Sequence, residues 1–498
     1  MTGTPDMLPH DRYNLELEAN VHPPGWVNPK PAPMYNLVVV GAGTAGLVAA
    51  AGAAGLGAKV ALIEKRFLGG DCLNLGCVPS KTIISSSRIY EEVREAAGHG
   101  IKVMCGAEAD FPAVMERMRM LRAQISVHDS ARRFRELGVD VFMGAGVFTG
   151  HNSLDVAGRR LNFRKALIAT GAGPFHPPVE GLSDAGYLTN ETVFSLTERP
   201  KRLAVLGGGA IGCELAQAFG RLGSDVTILH NKSRLMDRED EEASAVLHRV
   251  FTREGLRIVT GEWKLVRVER DGAQKALVME RGSEQERILA DEILVAVGRV
   301  PNVSGLGLED AGVKYDARAG IAVDDGLRSS NPDIYAAGDA CLKFKFTHTA
   351  DAAARIVIQN ALFFGHKKLS ALTVPWCTFT DPEVAHVGLY EGETFMIPMS
   401  EVDRSVMEGD LDGFVKVHVE KGTDRILGAT IVSAHAGEMI GELVLAMTEG
   451  IGLKKLSEVI HPYPTRSEAI KNIADQYNRT RLTPSIKGLL ARWLAYKR

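Results

Sequence analysis

The chain has 498 residues, of which 45% are hydrophobic and 24% charged, and its formal net charge is −3. This balance is typical of a globular protein with roughly three or four domains, and it gives no indication of nucleic acid binding. The six cysteines are too sparse for a secreted disulfide scaffold, no apolar run could span a bilayer, and the N-terminus lacks a signal-peptide core. We therefore expect a cytoplasmic protein whose cysteines can be reduced.

Residues 1–33 are rich in proline and polar groups, and the prolines between positions 23 and 33 exclude regular structure. We predict an extended N-terminal arm that lies on the body of the protein or on a partner subunit, and a disordered segment is the alternative. The segment has no Cys-x-x-Cys pair, so it is not a small metal-binding domain.

A nucleotide-binding module is predicted next. Residues 37–40 form a short apolar run typical of a buried parallel strand, and residues 41–46 (GAGTAG) lead into a helix of small residues at 47–57. Such glycines permit a tight turn and the close approach of a pyrophosphate. A second strand, 59–63, ends in Glu64, whose carboxylate can bind the hydroxyl groups of a ribose.

Two cysteines follow, Cys72 and Cys77, with Gly70 and Gly76 beside them. If a helix begins near Cys72, both lie on one face within about one and a half turns, where a disulfide can close and the helix start favours a thiolate. Half of a zinc site or two unrelated core cysteines are the alternatives, but no Cys/His cluster supplies the further ligands that zinc needs. The pair therefore predicts a redox centre.

Helical segments at about 80–98 and 111–138 lead to a strand with a tight turn at 166–171. A second nucleotide-binding module then begins with a strand at 202–206, which the glycine-rich sequence GGGAIG follows directly. The second strand of this module is expected at 225–229.

No acidic residue follows this strand to meet a ribose, whereas Lys232 and Arg234 lie nearby. Two cations at this place favour a 2′-phosphate, and hence NADPH over NADH. The alternative is that both are solvated surface residues.

Residues 291–302 predict a strand that closes the second module, and residues 334–340 (IYAAGDA) repeat the order of strand, glycine and acid. Asp339 can bind the ribityl chain of a flavin. The chain thus returns to the first module, which makes the second module an insertion. From about position 374 the pattern changes to a separate α+β domain, with strands and helices at 413–419, 426–432, 438–449 and 467–477.

These motifs resemble those of the two-cysteine (class I) pyridine nucleotide–disulfide oxidoreductases, the flavoproteins that include dihydrolipoamide dehydrogenase, glutathione reductase and mercuric reductase. The resemblance extends from about Tyr35 to Tyr477 and rests on GAGTAG, GGDCLNLGCVPSK, ATG, GGGAIGCE, AVGRVPN, AAGDA and HPYPTRSE in this order. It implies an α/β fold with two Rossmann-like three-layer nucleotide-binding domains, for FAD and NAD(P)H, and a C-terminal α+β dimerisation domain. The boundaries we expect are 1–33 for the arm, 34–185 and 319–373 for the FAD domain, 186–318 for the NAD(P)H domain, 374–482 for the dimerisation domain and 483–498 for an amphipathic tail.

The resemblance also implies residue roles. Cys77 faces the flavin as the charge-transfer thiolate, and Cys72 is the interchange thiol that faces the substrate. Lys81 pairs with Glu214 beside the flavin and the nicotinamide. The implied FAD-binding residues are Gly41, Gly43, Thr44, Ala45, Gly46, Glu64, Lys65, Gly70, Asp71, Cys72, Lys81, Thr170, Gly171, Gly338 and Asp339. The implied NADPH-binding residues are Gly207, Gly209, Ala210, Ile211, Gly212, Lys232, Arg234 and Gly298.

The HPYPT segment separates the subfamilies. Disulfide reductases of the group carry His-Pro-Thr, with the histidine as the acid–base for the thiols, whereas here Tyr463 takes that place and Glu468 follows five residues later. A tyrosine with a pKa near ~10 is a poor base, and mercuric reductase has a tyrosine at this position. His461 is about 6–7 Å away along an extended chain, and we interpret it as structural.

The similarity to mercuric reductase is incomplete. That enzyme ends in a vicinal cysteine pair and has a second tyrosine on an early helix, whereas this chain has no cysteine after Cys377 and has His128 and Asp129 where the tyrosine is expected. We predict a homodimeric, FAD-dependent and NADPH-preferring reductase that acts on a soft metal ion or another small oxidant, with no resident metal. The alternatives are a dihydrolipoamide dehydrogenase-type or other disulfide reductase, and an electron-donor flavoprotein that docks at a membrane.

The C-terminal residues 483–498 predict an amphipathic helix. Thr483 or Ser485 can cap it and Pro484 suits its first turn. Its apolar positions recur at helical spacing: Ile486, Leu489, Leu490, Trp493 and Leu494. Four cations lie among them, so the helix could contact an anionic membrane surface. The alternative is that the apolar face packs on the dimer.

Overall fold

The computed structural model describes residues 7–104 and 106–498. The chain forms two compact units. The first unit comprises the described residues up to Gly208 together with Ala218–Asn231 and Glu262–Ala371, and the second comprises Gly209–Gln217, Lys232–Gly261 and Leu372–Arg498.

In chain order, the helices are α1 (Arg12–Val21), α2 (Thr44–Gly55), α3 (Gly70–Asn74), α4 (Cys77–Glu95), α5 (Phe111–Ser126), α6 (Ala131–Glu136), α7 (Leu182–Ala185), α8 (Ala210–Arg221), α9 (Glu241–Arg253), α10 (Thr347–Leu362), α11 (Asp403–Glu408), α12 (Ala436–Thr448), α13 (Leu453–Leu456), α14 (Glu468–Thr480) and α15 (Pro484–Tyr496).

The strands are β1 (Tyr35–Val40), β2 (Val60–Glu64), β3 (Asp140–Met143), β4 (Gly146–Gly150), β5 (Ser153–Val156), β6 (Arg159–Ile168), β7 (Ala172–Pro174), β8 (Arg202–Leu206), β9 (Asp225–His230), β10 (Arg257–Thr260), β11 (Lys264–Asp271), β12 (Gln274–Arg281), β13 (Glu284–Ala290), β14 (Glu292–Val295), β15 (Arg299–Pro301), β16 (Tyr315–Asp316), β17 (Gly320–Ile321), β18 (Ile334–Ala336), β19 (Pro375–Thr378), β20 (Glu383–Gly388), β21 (Glu393–Pro398), β22 (Phe414–Val419) and β23 (Ile426–Ser433).

A seven-stranded sheet forms the centre of the first unit. Strands β3, β2, β1, β6 and β18 run parallel in this order, and β5 and β4 continue beyond β6 as an antiparallel extension. Because β18 pairs with β6, the chain returns to this sheet after the second nucleotide module, as the sequence predicted. The parallel strands place the glycine turn after β1, the acid of β2 and the turns after β6 and β18 at one edge, where nucleotides bind in such folds.

The second nucleotide module contributes a further parallel arrangement to the first unit, in which β8 lies between β9 and β14. Strands β11, β12 and β13, which lie between β10 and β14 in the chain, form an antiparallel sheet. The strands predicted at 202–206, 225–229 and 291–302 are therefore present, although the last is split into β14 and β15.

The second unit contains a five-stranded antiparallel sheet in the order β19-β20-β23-β22-β21. Helices α12 and α14 supply apolar side chains to the same core as this sheet, among them Leu443 and Ile473, which are fully buried. This arrangement matches the separate α+β domain that the sequence predicted.

The N-terminal segment differs from the prediction because its described part, from residue 7 onward, contains the helix α1; residues 1–6 of the predicted arm lie outside the described residues. Asp11 caps α1 by accepting hydrogen bonds from the backbone N–H groups of Tyr13 and Asn14, and Leu17 and Val21 are fully buried. The prolines that exclude regular structure come only after α1 has ended. Residues 23–33 contain neither helix nor strand, so within the described residues the arm is limited to that part.

The arm covers the edge of the seven-stranded sheet. The indole Nε1 of Trp26 donates to the carbonyl of Val141 at 3.1 Å. The side-chain amide of Asn28 donates to the carbonyl of Met143 at 2.8 Å and accepts from its N–H at 2.7 Å. Since β3 is the edge strand, this amide replaces a neighbouring strand and satisfies groups that would otherwise be exposed.

We expect Asn28→Ala to destabilise the first unit. The substitution leaves two backbone groups of the edge strand without protein partners, which corresponds to a loss of about 1–3 kcal/mol in the free energy of unfolding. Urea unfolding followed by fluorescence checks this, with Asn152→Ala at an exposed turn as the control. Equal midpoints for the two variants would contradict the prediction.

The helix predicted over 111–138 is interrupted. Helix α5 ends at Ser126, a 3-10 turn covers Val127–Asp129, and α6 begins because the Ser130 hydroxyl accepts from the N–H of Arg133 at 3.3 Å. His128 and Asp129 therefore lie on a turn and not within a helix. Among the residues that the structure describes, no helix is long and apolar enough to cross a membrane.

Candidate active site

Cys72 and Cys77 lie on either side of a break between two helices, and not on one helix as predicted. Helix α3 ends at Asn74, and Cys77 is the first residue of α4. The break requires glycine, because a Cβ added to Gly76 would lie 2.9 Å from the carbonyl oxygen of Asp71. The two cysteines are both thiols, and the Cys77 side chain acts directly on the Cys72 thiol and raises its pKa. The sulfurs are therefore near each other, and a disulfide can close with little backbone movement.

The two sulfurs differ in their electrostatics. The hydrogen bond with Cys77, burial and the charge of a Cys77 thiolate raise the pKa of Cys72. Helix α3 begins at Gly70, close to Cys72 as expected, and a second helix start lies at Cys77, the first residue of α4. Cys77 is exposed, and its Sγ lies 3.5 Å from Oγ1 of Thr347. Cys77 is therefore the better site for a thiolate. The contact from Thr347, the first residue of α10, had no signal in the sequence.

The first glycine turn is built for close approach. Gly41 has φ +103°, and a Cβ there would lie 2.3 Å from the carbonyl oxygen of Ala169. A Cβ at Gly46 would lie 1.8 Å from the carbonyl oxygen of Gly41. Helix α2 begins at Thr44 and Ala45 directly after Gly43, which has no side chain to cap it. Its first N–H groups can therefore bind an anion such as a pyrophosphate.

Glu64 is held beside this turn. Its carboxylate accepts from the N–H of Ala42 at 2.7 Å and from the N–H of Arg66 at 2.7 Å. Burial raises the pKa of Glu64, and these backbone N–H groups oppose the shift. The neighbouring Lys65 is exposed. The acid is thus placed where a ribose joined to the pyrophosphate would lie.

Asp339 and Asp71 share a cation that the sequence analysis missed. The guanidinium of Arg299 lies 3.3 Å from Oδ2 of Asp339 and forms an ion pair with Asp71. Burial raises the pKa of Asp339, and Arg299 opposes that shift. The turn at Gly338 before Asp339 has φ +74°. Arg299 belongs to the AVGRVPN segment. A positive charge within this segment was the only sign in the sequence that it could pair with these two acids.

The same segment supports the turn after β6. Thr170 donates from its hydroxyl to the carbonyl of Asn302 at 2.7 Å, and Gly171 follows with φ +70°. Gly298 also has a positive φ, of 129°, and open space around it. Gly70 packs on the first glycine turn, since a Cβ there would lie 2.6 Å from Cα of Gly43.

The second glycine turn repeats the geometry of the first with one change. A Cβ at Gly207 would lie 2.4 Å from the carbonyl oxygen of Ala296. The N–H of Gly208 donates to Nδ1 of His230 at 3.1 Å, which is the relation of Ala42 to Glu64 in the first module. A histidine therefore occupies the place of the acid. The next four residues of this motif that were predicted to bind NADPH belong to the second unit: Gly209, Ala210, Ile211 and Gly212. Of these, Ala210 and Ile211 are exposed.

The two cations expected for a 2′-phosphate lie in the second unit and differ in their surroundings. Lys232 is exposed. Arg234 is half-buried, and its guanidinium donates to the carbonyl of Glu239 at 3.0 Å and to the hydroxyl of Ser244 at 3.2 Å. Arg234 is thus held by its own loop and by α9, and Lys232 is the more accessible cation.

Lys81 and Glu214 lie in different units. Lys81 lies on α4, one turn after Cys77. Glu214 is buried on α8, and its carboxylate accepts from the N–H of Phe379 at 2.8 Å. Their pairing stays a prediction.

The HPYPT segment lies in the second unit. Tyr463 is 66% exposed, and its hydroxyl donates to Oδ2 of Asp403 at 2.8 Å. This hydrogen bond raises the pKa of Tyr463. Glu468 begins α14, and Nε2 of His461 lies 3.0 Å from both carboxylate oxygens of Glu442. A tyrosine bonded to a carboxylate is a weak base at neutral pH.

The donor groups of the first unit fit FAD. A side chain at Gly41 or Gly46 would collide with the protein backbone, and the start of α2 has no side-chain cap. Glu64 lies beside this turn, and Asp339 lies at the same edge of the sheet. No group of three or more His, Cys, Asp or Glu residues in the described part of the chain is arranged to hold a metal ion.

Comparison with known proteins identifies the family of the chain. Residues 35–354 match the family described as pyridine nucleotide-disulphide oxidoreductase, and residues 374–474 match the dimerisation domain of that family. The chain is 35% identical to a mercuric reductase of Staphylococcus aureus, over 89% of this chain and 83% of that protein, and 34% identical to a dihydrolipoyl dehydrogenase of Thermus scotoductus, over 89% and 98%. Among solved structures, the Cu(II) complex of the HOCl-induced flavoprotein disulfide reductase RclA from Escherichia coli superposes with a TM-score of 0.79 at 27% identity, over 88% of this chain and 98% of that one.

FAD and a pyridine nucleotide are the cofactors that this family implies, and its dimerisation domain supports a homodimer. The fold predicted from the sequence is confirmed, and the chain belongs to the pyridine nucleotide-disulphide oxidoreductase family.

Proposed function

We propose that this protein is an NADPH-dependent reductase of a soft metal ion, similar to mercuric reductase. The observation that carries the proposal is the pair of thiols, Cys72 and Cys77, on either side of the break between α3 and α4. When bound, FAD carries electrons from the nicotinamide to this pair. Cys77 holds the thiolate on the flavin side, and Cys72 presents its sulfur to the acceptor.

A soft metal ion suits the residues present. Soft cations prefer thiolate ligands, and their binding to Cys72 and Cys77 needs no strong base once the thiols are reduced. Tyr463, bonded to Asp403, is not such a base. Relatives named as mercuric reductases and a similar structure described as a Cu(II) complex are consistent with this acceptor class.

A panel of acceptors tests the proposal. We expect NADPH oxidation to be faster with Hg(II) or Cu(II) in the presence of a thiol than with lipoamide or glutathione disulfide. Metal-dependent turnover should disappear in Cys72→Ser and persist in Cys377→Ser, because Cys377 lies on β19 and is not part of the Cys72–Cys77 pair. Turnover with quinones alone would contradict the proposal and favour an electron-donor flavoprotein.

A disulfide reductase is the second candidate. The observation in its favour is the similarity to dihydrolipoyl dehydrogenase over 98% of that protein. The position of Tyr463 counts against it, since no histidine is present there to exchange protons with a disulfide substrate.

We expect NADPH to be preferred over NADH. His230 replaces the acid that would bind a free 2′-hydroxyl, and Lys232 is accessible to a phosphate. A phosphate paired with a cation is worth roughly 1–3 kcal/mol, or about ten- to a hundredfold in kcat/KM. Steady-state kinetics with both nucleotides measure this, and Lys232→Ala should lower the value for NADPH alone. Equal kcat/KM values for the two nucleotides would contradict this preference.

The C-terminal tail is helical, as predicted. Thr483 caps α15 by accepting from the N–H of Ile486 at 3.3 Å, and Lys497 lies over the ring of Trp493 at 5.2 Å. The five apolar residues are between 42% and 68% exposed: Ile486, Leu489, Leu490, Trp493 and Leu494. This face is available for an anionic membrane surface or for the dimer partner.

Deletion of residues 483–498 separates these roles. If the helix contacts a membrane, the truncated protein stays dimeric and no longer sediments with anionic vesicles, because both the apolar face and the basic residues are lost. If it packs on the dimer, analytical ultracentrifugation shows weaker self-association. Unchanged vesicle binding and unchanged self-association would show that α15 has neither role.

A further inference from the structure

The short helix that carries Cys72 is held at both ends by one residue, Asn74. The carbonyl of Asn74, the last residue of α3, accepts a hydrogen bond from the guanidinium of Arg122 at 2.7 Å. The side-chain amide of Asn74 donates to the carbonyls of Leu68 and Gly70 at 2.9 and 2.8 Å. A helix of five residues has few internal hydrogen bonds, so these contacts fix its position.

Arg122 also reaches the N-terminal helix. Its second terminal nitrogen donates to Oδ1 of Asn14 on α1 at 2.7 Å, and the amide of Asn14 donates to the carbonyl of Pro9 at 2.8 Å. At the other end of α1, the carbonyl of Val21 accepts from the N–H of Leu68 at 3.0 Å. Helix α1 is therefore connected to the cysteine segment twice, directly at Leu68 and through Arg122 at Asn74.

A buried arginine at this place is costly. Arg122 is 1% exposed, its hydrogen bonds go to neutral groups, and its Nε has no partner among the described residues. Burial lowers the pKa of Arg122 to about 10. An apolar side chain would avoid this cost. The guanidinium makes hydrogen bonds to Asn74 and Asn14 that an apolar side chain could not make.

We propose that Arg122 and α1 form a brace that holds α3 in place and thereby favours closure of Cys72 onto Cys77. This inference rests on the proposed redox function of the pair. It makes the N-terminal segment, which precedes the matched family region at 35–354, part of the redox site. The brace keeps the two sulfurs together in the reduced protein, so the disulfide forms with little loss of conformational freedom.

The equilibrium between dithiol and disulfide tests the brace. Full-length protein is equilibrated with mixtures of reduced and oxidised dithiothreitol; closing the disulfide releases two protons and passes two electrons to the oxidised reagent. Alkylation of the remaining thiols gives the disulfide fraction. We expect Arg122→Met to lower the equilibrium constant for closure about tenfold, equivalent to a potential about 30 mV higher.

Arg119→Met is the matched control. Arg119 lies on the same helix and is similarly buried, but it pairs with Asp11 and makes no hydrogen bond to α3. Two further variants cover a failure of Arg122→Met to fold. Arg122→Lys should have an equilibrium constant for closure between those of the wild-type protein and Arg122→Met, because lysine can still donate to Asn74. Asn14→Ala should lower the equilibrium constant by less than Arg122→Met does.

Two results would overturn the brace while leaving the proposed function intact. One is the same equilibrium constant in the wild-type protein and in the Arg122 and Asn14 variants. The other is an equal shift in Arg119→Met, which would show that the effect does not need the hydrogen bond from Arg122 to Asn74 that links α1 to α3. If the wild-type protein forms no disulfide between Cys72 and Cys77 in oxidised dithiothreitol, the brace and the proposed function are both wrong.

Discussion

Cys77→Ser is expected to abolish the long-wavelength absorbance that NADPH produces in the wild-type protein, and Cys72→Ser is expected to show it without any reductant. The reason is that Cys77 is the first residue of α4, where the helix start stabilises a thiolate, while Cys72 has a raised pKa. Removing Cys72 leaves Cys77 unable to form the disulfide, so its thiolate persists in the oxidised protein.

Anaerobic titration with NADPH, followed by absorbance, measures this difference. Metal-dependent turnover should fall to background in both variants, the largest change we expect from any single substitution. Cys377→Ser should keep the wild-type spectrum and turnover. Oxidised spectra that are identical in all three variants would show that the roles of Cys72 and Cys77 are wrongly assigned.

Tyr463→His is expected to raise disulfide reductase activity, which should be low in the wild-type protein. General acid–base catalysis typically contributes 10²–10⁴-fold, and Tyr463 is unsuited to it because Asp403 raises its pKa further. Glu468 is already present five residues later to orient an imidazole. Turnover of lipoamide with NADPH or NADH is the measurement.

The pH dependence provides a second test of the same variant. A histidine acts as a base only when it is neutral, so the gained activity should disappear as the pH falls through about 6.5. Tyr463→Phe is the control, since it removes the hydroxyl without adding a base. Wild-type turnover of lipoamide at an ordinary rate of ~10²–10³ per second would contradict the role assigned to this position.

The sequence predicted the frame of the site because local patterns determine it. An apolar strand and a glycine turn recur in the two modules, at β1 and β8. The structure places Glu64 of the first module and His230 of the second equivalently. Side chains that come from distant segments were not predictable in this way. Arg299 reaches Asp71 across more than two hundred residues, and no periodicity reports such a pair.

The helix at the cysteines shows a different limit. The spacing of Cys72 and Cys77 fits one helical face, but it fits a pair of helices joined at Gly76 equally well. The break follows from the close approach of Gly76 to the carbonyl of Asp71, which only the folded chain reveals. Helix α1 was missed because the prediction used the composition of residues 1–33 as a whole, in which the prolines that follow the helix dominate.

During synthesis, β6 leaves the ribosome well before β18, the strand with which it pairs. Ile168 and Ala336 are neighbours in the sheet, although the whole second nucleotide module lies between them in the chain. At a translation rate of ~5–20 residues per second, the ribosome needs about 10–30 seconds to make the missing strand. Through that interval the nascent sheet has an open edge at β6, so the emerging chain should depend on a chaperone more than its finished stability suggests.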